Sequence, residues 1–186
     1  MSQDAVPADP LPLPVGRRLG RGVEAAADGL CRGVEILLAA GIVAGVALNC
    51  ANVLGRYVFG YAIVGADEIL VYGMIAVIFL GAVPVTWRDA HLRLDVLIDG
   101  LPPRLAAAAR RGAHLAIMLL CAVVGWASAA MAAEMAHFGQ RSLAAGLPMV
   151  LPHGAVATGL WLAAAMAGLR ALGLRPPPRA DEEARP

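Results

Sequence analysis

The chain has 186 residues, of which 59% are hydrophobic and 16% are charged, and its mean hydropathy is +0.68. An ordinary soluble domain has about 25% charged residues, so this composition predicts an integral membrane protein. The segments between the apolar runs are too short for a soluble catalytic module or a nucleotide fold, and we therefore expect neither enzyme activity nor a nucleic-acid partner.

Four apolar runs predict four transmembrane helices. A hydrocarbon core about 30 Å thick is crossed by roughly 20 residues of helix. Only a helix or a closed barrel satisfies its backbone hydrogen bonds there without water. The runs cover residues 36–55, 69–87, 112–133 and 150–169. The predicted fold is therefore all-α, an integral membrane protein of four helices.

The arginines determine the predicted orientation. All fifteen basic residues are arginine, and only Arg56 and Arg141 lie in the loops after the first and third spans. The positive-inside rule then places both termini and the middle loop in the cytoplasm. We expect a cytoplasmic N-terminal arm over residues 1–33, a transmembrane domain over 34–170, and a disordered, proline-rich and acidic cytoplasmic tail over 171–186.

The first predicted helix contains two kinds of candidate packing residue. Gly41 and Gly45 form a small-xxx-small pair, which lets another helix backbone approach closely in a membrane. Asn49 and Asn52 lie one turn apart near the outer end, where amide side chains form interhelical hydrogen bonds. Glycine pairs of this kind also arise by chance in helices rich in Gly and Ala. All four residues are predicted to serve helix packing rather than ligand binding.

Charged residues flank the loop between the first two helices. Arg56 ends the first helix, and Asp67 and Glu68 open the second. The helix dipole favours a cation at a C-terminus and an anion at an N-terminus by roughly 0.3 to 1 kcal/mol each, and loop closure could also pair these charges. Docking against a partner protein is the other interpretation, and the sequence leaves both open.

The end of the second helix leads into a mixed segment. Pro84 predicts a loosened or kinked last turn, and Trp87 marks the predicted membrane interface. Between residues 91 and 101, apolar residues recur at helical spacing among charged ones. This pattern predicts a short interfacial helix between helices two and three.

The histidines and cysteines do not predict a cofactor. A bis-histidine haem needs two ligands at one depth on facing helices. His91 falls outside the bilayer and His137 is expected in a loop beyond helix three, so neither can pair inside the membrane with His114 or His153. The three cysteines have no spacing typical of a disulfide or a metal site. We expect no cofactor and no metal.

Four short motifs, in order, resemble a known family. They are Arg-Tyr-Val-Phe-Gly at residues 56–60, the acidic pair at 67–68, Phe-Leu-Gly-Ala at 79–82 and His-Leu-Arg-Leu-Asp-Val-Leu at 91–97. Their spacing and order are similar to those of the small permease subunit of tripartite ATP-independent periplasmic (TRAP) transporters. Many members of that family have a tryptophan just before the acidic pair. This chain has Gly65 there, so one interfacial anchor is lost.

The resemblance implies a three-part secondary transporter of the bacterial inner membrane. A periplasmic binding protein would deliver an organic acid, and a large permease subunit would carry it across with a sodium gradient. This chain would brace the large subunit as part of its fixed scaffold and would transport nothing alone. The candidate docking residues are Arg56, Asp67, Glu68, His91, Arg93 and Asp95.

Two other hypotheses belong to different classes. A cytochrome b-type or quinone-reactive membrane anchor of a respiratory enzyme also uses a few helices and histidines, and the cytochrome would show Soret absorbance. The second is a membrane scaffold without a transport role. Its gene would not lie beside genes for a large permease and a binding protein.

Overall fold

The computed structural model describes residues 15–88 and 102–177, and within these ranges the chain forms four α-helices and no strand. The helices are α1 (Val15–Val58), α2 (Ala66–Trp87), α3 (Pro103–His137) and α4 (Val150–Ala171). All four are long and apolar enough to cross a membrane. The predicted all-α class with four spans is therefore confirmed. The predicted interfacial helix lies outside the described residues, and the orientation of the termini stays a prediction.

The helices pack in the order α1, α2, α4, α3. The main contacts join α1 to α2, α2 to α4, and α4 to α3. α4 is the most buried helix, whereas α1 is exposed along most of its span. Apolar surface can face lipid tails without the cost that it has in water. The exposed faces of α1 and α3, the first and last helices in this packing order, are thus available to the bilayer or to another membrane protein.

Glycines allow α4 to lie close to both neighbours. A Cβ at Gly159 would lie 2.5 Å from the carbonyl carbon and oxygen of Phe79 in α2. A Cβ at Gly125 of α3 would lie 2.7 Å from the ring of Trp161 in α4. In a membrane, where packing rather than hydrophobic exclusion holds helices together, such small residues permit close backbone approach.

The helices have two distinct lengths. α2 and α4 have 22 residues each, about 33 Å of helix, whereas α1 has 44 residues and α3 has 35, about 66 and 52 Å. Glu35 of α1 lies beside Arg88, just past the end of α2. α1 begins at Val15, twenty residues before Glu35, and its first turns therefore extend past the end of α2 on the predicted cytoplasmic side.

The projecting part of α1 makes half of the predicted N-terminal arm helical. Ala27, Cys31 and Val34 are buried, and their spacing places them on one face. Ala27 and Cys31 belong to a core cluster with Val83 and Trp87 of α2 and with Met166 of α4. Packing of this face compensates for the helix-weakening glycines between residues 20 and 33.

Candidate functional site: an outer loop contact and an inner charge cluster

At the end of the bundle that the arginine distribution predicts to lie outside, named the outer end, Glu68 of α2 binds the loop between α3 and α4. Its Oε1 accepts a hydrogen bond from the N–H of Ala144 at 3.1 Å, and its Oε2 accepts one from the N–H of Ala145 at 2.8 Å. A carboxylate that accepts two backbone N–H groups forms charge-assisted bonds, which are stronger than neutral ones. One side chain in the first turn of α2 thereby positions a loop that lies more than seventy residues later.

The α3–α4 loop is folded on itself so that these two amides face Glu68. The N–H of Ser142 donates to the carbonyl of Leu147 at 2.8 Å, and the N–H of Leu147 donates to Ser142 Oγ at 3.0 Å. Arg141 Nη1 donates to the carbonyl of Gly146 at 3.1 Å, and Gly146 has a φ of +65°. The loop therefore fixes its own shape, and Glu68 attaches that shape to α2.

Gly65 lies between α2 and this loop. Its φ is +81°, in the left-handed region that favours glycine, and a Cβ there would lie 2.6 Å from the Cα of Ala145. A side chain at this position would displace the loop. Glycine therefore allows the close contact on which the Glu68 hydrogen bonds depend.

Arg56 and Asp67 form a weak ion pair across the same end. Arg56 Nη2 lies 4.0 Å from Asp67 Oδ2, and the two side chains are 54% and 80% exposed. Exposed pairs of this kind contribute about 0 to 1 kcal/mol. Both charges therefore remain accessible to a partner, in contrast to Glu68, which is used within the chain.

The helix-packing candidates of α1 lie at two different places. Asn52 is buried, and its Oδ1 accepts a hydrogen bond at 2.9 Å from the N–H of Ile63, in the loop between α1 and α2. Asn49, Gly41 and Gly45 line an open apolar groove of about 580 Å³ between α1 and α2. Gly45 makes ordinary contact with α2, whereas nothing lies within 4 Å of a Cβ at Gly41.

At the opposite end, which is predicted to be cytoplasmic and is named the inner end, Arg88 joins α2 to two carboxylates of α1. Its Nε lies 3.3 Å from Glu35 Oε1, and its Nη2 lies 3.8 Å from Asp28 Oδ1. Asp28 is 5% exposed and is also paired with Arg32, whose Nε lies 2.9 Å from Asp28 Oδ2. The four charged side chains of Arg88, Glu35, Asp28 and Arg32 thus form one network beside the end of α2.

This charge cluster was not predicted from the sequence. The available signal was the spacing of Asp28, Arg32 and Glu35 at i, i+4 and i+7, which places them on one face of a helix. The sequence contained no comparable signal that this face would meet the end of α2.

The structure corrects two expectations about individual residues. Trp87 is fully buried in the core cluster and does not anchor the membrane interface. His137 is the last residue of α3 and does not lie in a loop beyond it. Ser128 of α3 donates a hydrogen bond to the carbonyl of His153 in α4 at 3.1 Å, a contact that no sequence pattern indicated.

The described residues contain no group of three or more His, Cys, Asp or Glu side chains that could hold a metal ion. His114 is buried in α3, and His153 lies in the first turns of α4. His91, Arg93 and Asp95 fall between residues 88 and 102, outside the described ranges.

Four helices, each with an apolar run free of Asp, Glu, Lys and Arg, define a multi-pass membrane protein. A comparison with family models then gives its family. Residues 45–175 match the DctQ component of the tripartite ATP-independent periplasmic transporters, so the chain belongs to this family. The chain is the small permease component of a TRAP transporter. Its family is a family of transporter components and not of enzymes. Comparisons with curated proteins and with solved structures give no match.

Proposed function

We propose that this chain is the fixed scaffold of a sodium-driven TRAP transporter for an organic acid, and that it forms no transport path by itself. Family membership implies that a large permease subunit and a periplasmic binding protein work with it. The respiratory-anchor hypothesis is not favoured by this family. The observation that supports a scaffold most directly is the distribution of ionisable groups along the spans.

A path for sodium or a carboxylate solute needs polar or ionisable groups through the membrane midplane, where such groups are costly and usually mark function. None of the four apolar runs, residues 36–55, 69–87, 112–133 and 150–169, contains an Asp, Glu, Lys or Arg. The hydroxyl of Ser128 is already bonded to α4, and Asn52 is bonded to the outer loop. The remaining surface is largely apolar, which suits packing against another membrane protein.

The structure contains two surfaces on which the large subunit could dock. The groove between α1 and α2 is apolar, and large side chains beside it, such as Ile78 and Met74, are exposed. At the outer end, Arg56 and Asp67 present exposed charges. We assign these two residues to partner docking. Glu68 supports them indirectly because it holds the adjacent loop.

His91, Arg93 and Asp95 complete the proposed docking set through the family resemblance. We place them with both termini on the cytoplasmic side of the inner membrane. A single cysteine at the exposed position Leu143, in a cysteine-free background, should react in intact cells with an impermeant thiol reagent, whereas one at Leu172 should not. The reverse pattern would overturn this orientation.

Reconstitution tests the scaffold proposal. Proteoliposomes that contain only this chain should show no sodium-driven uptake of radiolabelled C4-dicarboxylates or other organic acids. Uptake should require the large subunit and the binding protein together. Liposomes with the large subunit and binding protein but without this chain are the matched control and should also be inactive. Transport by the isolated chain would contradict the proposal, and so would full activity without it.

A further inference from the structure

Two asparagines of α1 lie one turn apart, and the chain itself uses only one of them. Asn52 is buried, and its Oδ1 accepts a hydrogen bond from the N–H of Ile63. Asn49 is exposed, and across residues 15–88 and 102–177 no group forms a hydrogen bond with its side-chain amide. The amide of Asn49 therefore needs a partner from outside these parts of the chain.

Asn49 lies too deep in its span for bulk water to be that partner. It precedes Arg56 by seven residues, about 10 Å of helix, and follows Glu35 by fourteen residues, about 21 Å. Both distances place it inside a hydrocarbon core about 30 Å thick. Its amide has two N–H donors and one carbonyl acceptor, and such groups are costly when they are left unsatisfied in lipid. Long arginine side chains can extend to the headgroups, but asparagine is too short to do so.

Asn49 lines the apolar groove of about 580 Å³ between α1 and α2, and it is the one polar side chain among the described residues that line it. Gly41 and Gly73 line the same groove, and nothing lies within 4 Å of a Cβ at either position. Ile42 and Met74, also in the lining, are exposed. The groove thus offers open apolar surface and a single hydrogen-bonding group.

This combination favours a transmembrane helix over lipid as the occupant of the groove. An acyl chain fills apolar space but has neither a donor nor an acceptor for Asn49. A polar side chain on a neighbouring helix provides one, and hydrogen bonds of this kind join helices in membranes. Of the two partners that family membership implies, the binding protein is periplasmic. Only the large permease subunit therefore provides helices at the depth of Asn49.

The groove also continues toward the two charges assigned to partner docking. Asn49 and Arg56 are seven residues apart in α1, and Met74 and Asp67 are seven residues apart in α2. Residues at this spacing share one face of a helix. Arg56 and Asp67 meet across the two helices at 4.0 Å. The same side of the α1–α2 pair therefore carries the apolar groove, the amide and the exposed ion pair.

We propose that one transmembrane helix of the large permease subunit packs into the groove between α1 and α2, and that Asn49 forms a hydrogen bond with a polar side chain of that helix. The proposal rests on the proposed scaffold function, which supplies the large subunit as the partner. It adds the face at which the two proteins meet. It also adds the residue that sets their register, a role that single buried asparagines have between paired helices.

Photocrosslinking in the intact complex tests the face of contact. Benzoylphenylalanine is introduced at Ile42, which is exposed and lines the groove, or at Val43, which is exposed and does not line it. The two positions are adjacent, so they lie at nearly the same depth on different faces of α1. Residue 42 should form an adduct with the large subunit, and residue 43 should not.

The outcomes separate this proposal from the scaffold function. Equal adducts at both positions would overturn the groove as the contact face, and so would an adduct of residue 42 with a second copy of this chain. Co-purification with the large subunit but no protein adduct at residue 42 would overturn the groove assignment alone. A wild-type chain that does not co-purify with the large subunit would contradict the scaffold function itself.

Subunit association in lipid nanodiscs tests the hydrogen bond. Asn49→Leu should weaken association with the large subunit by about threefold, the effect of a typical interhelical hydrogen bond in a membrane. Asn49→Gln keeps an amide and should retain most of the affinity. Cys50→Leu is the matched control, because Cys50 is exposed next to Asn49 but does not line the groove. It should leave the affinity unchanged.

Thermal unfolding of the isolated full-length chain excludes an internal role for the amide. Asn49→Leu should not lower the unfolding temperature, because no described group of the chain bonds to this side chain. A lower unfolding temperature would assign the amide to folding and overturn the bond to the large subunit. An unchanged affinity in Asn49→Leu, or an equal loss in Cys50→Leu, would overturn it as well.

Discussion

The two ends of α2 are attached to the rest of the chain in different ways. At the outer end, the carboxylate of Glu68 accepts hydrogen bonds from two backbone amides of the α3–α4 loop. At the inner end, the guanidinium of Arg88 lies between two carboxylates of α1. The outer contact depends on the shape of a loop and on Gly65, which has no side chain to obstruct it. The inner contact depends on long charged side chains around a buried Asp28. The outer contact should therefore be sensitive to substitutions that add side-chain volume, and the inner contact to substitutions that remove a charge.

The largest effect is expected from Gly65→Ala. The left-handed backbone at φ +81° and the overlap with Ala145 together should destabilise the folded chain by about 2 to 4 kcal/mol. Thermal unfolding in detergent micelles measures the loss. Gly60→Ala is the matched control, because Gly60 also has a positive φ, +67°, but nothing lies within 4 Å of its Cβ. Equal destabilisation by both substitutions would contradict the close contact with the loop.

At the inner end, Arg88→Met should cost somewhat less, about 2 to 3 kcal/mol. Removing one partner of a buried ion pair typically costs about 3 to 5 kcal/mol, but Glu35 is 37% exposed and Asp28 keeps Arg32. The same unfolding measurement applies. Adding Glu35→Gln to Arg88→Met should recover part of the loss, because the uncompensated charge is removed. Strictly additive losses would mean that the two side chains do not interact.

These two ends also differ in what the sequence could predict. Hydropathy identified all four spans because their apolar runs match the membrane thickness. It did not identify where α1 begins, since the glycines before Glu35 oppose a helix and only tertiary burial of Ala27, Cys31 and Val34 offsets them. At the outer end, the sequence singled out Glu68 for helix-dipole compensation or partner docking, and it gave no sign that the side chain binds a loop of the same chain. Its partner loop lies too far along the chain for any local pattern to reveal it.

A smaller effect is expected from Glu68→Gln. The neutral amide offers one acceptor oxygen in place of two, so one of the two N–H groups must bond to water, and the charge-assisted character is lost. We expect a small fall in the thermal unfolding temperature, below that caused by either substitution above, because this carboxylate is solvent-accessible. Asp67→Asn changes the neighbouring, exposed carboxylate in the same way and should have almost no effect on unfolding. Comparable losses in both would indicate a general charge effect at the start of α2.

The smallest effect on stability is expected from Arg56→Ala, within about 0.5 kcal/mol, because its partner Asp67 lies 4.0 Å away and both side chains are exposed. This substitution separates docking from folding. If Arg56 contacts the large subunit, co-purification and reconstituted uptake should fall while the unfolding temperature stays unchanged, and Arg56→Lys should restore part of both. A variant that matches wild type in all three measurements would leave Arg56 as a simple helix-end cation, and the docking role at this end would then rest on Asp67 alone.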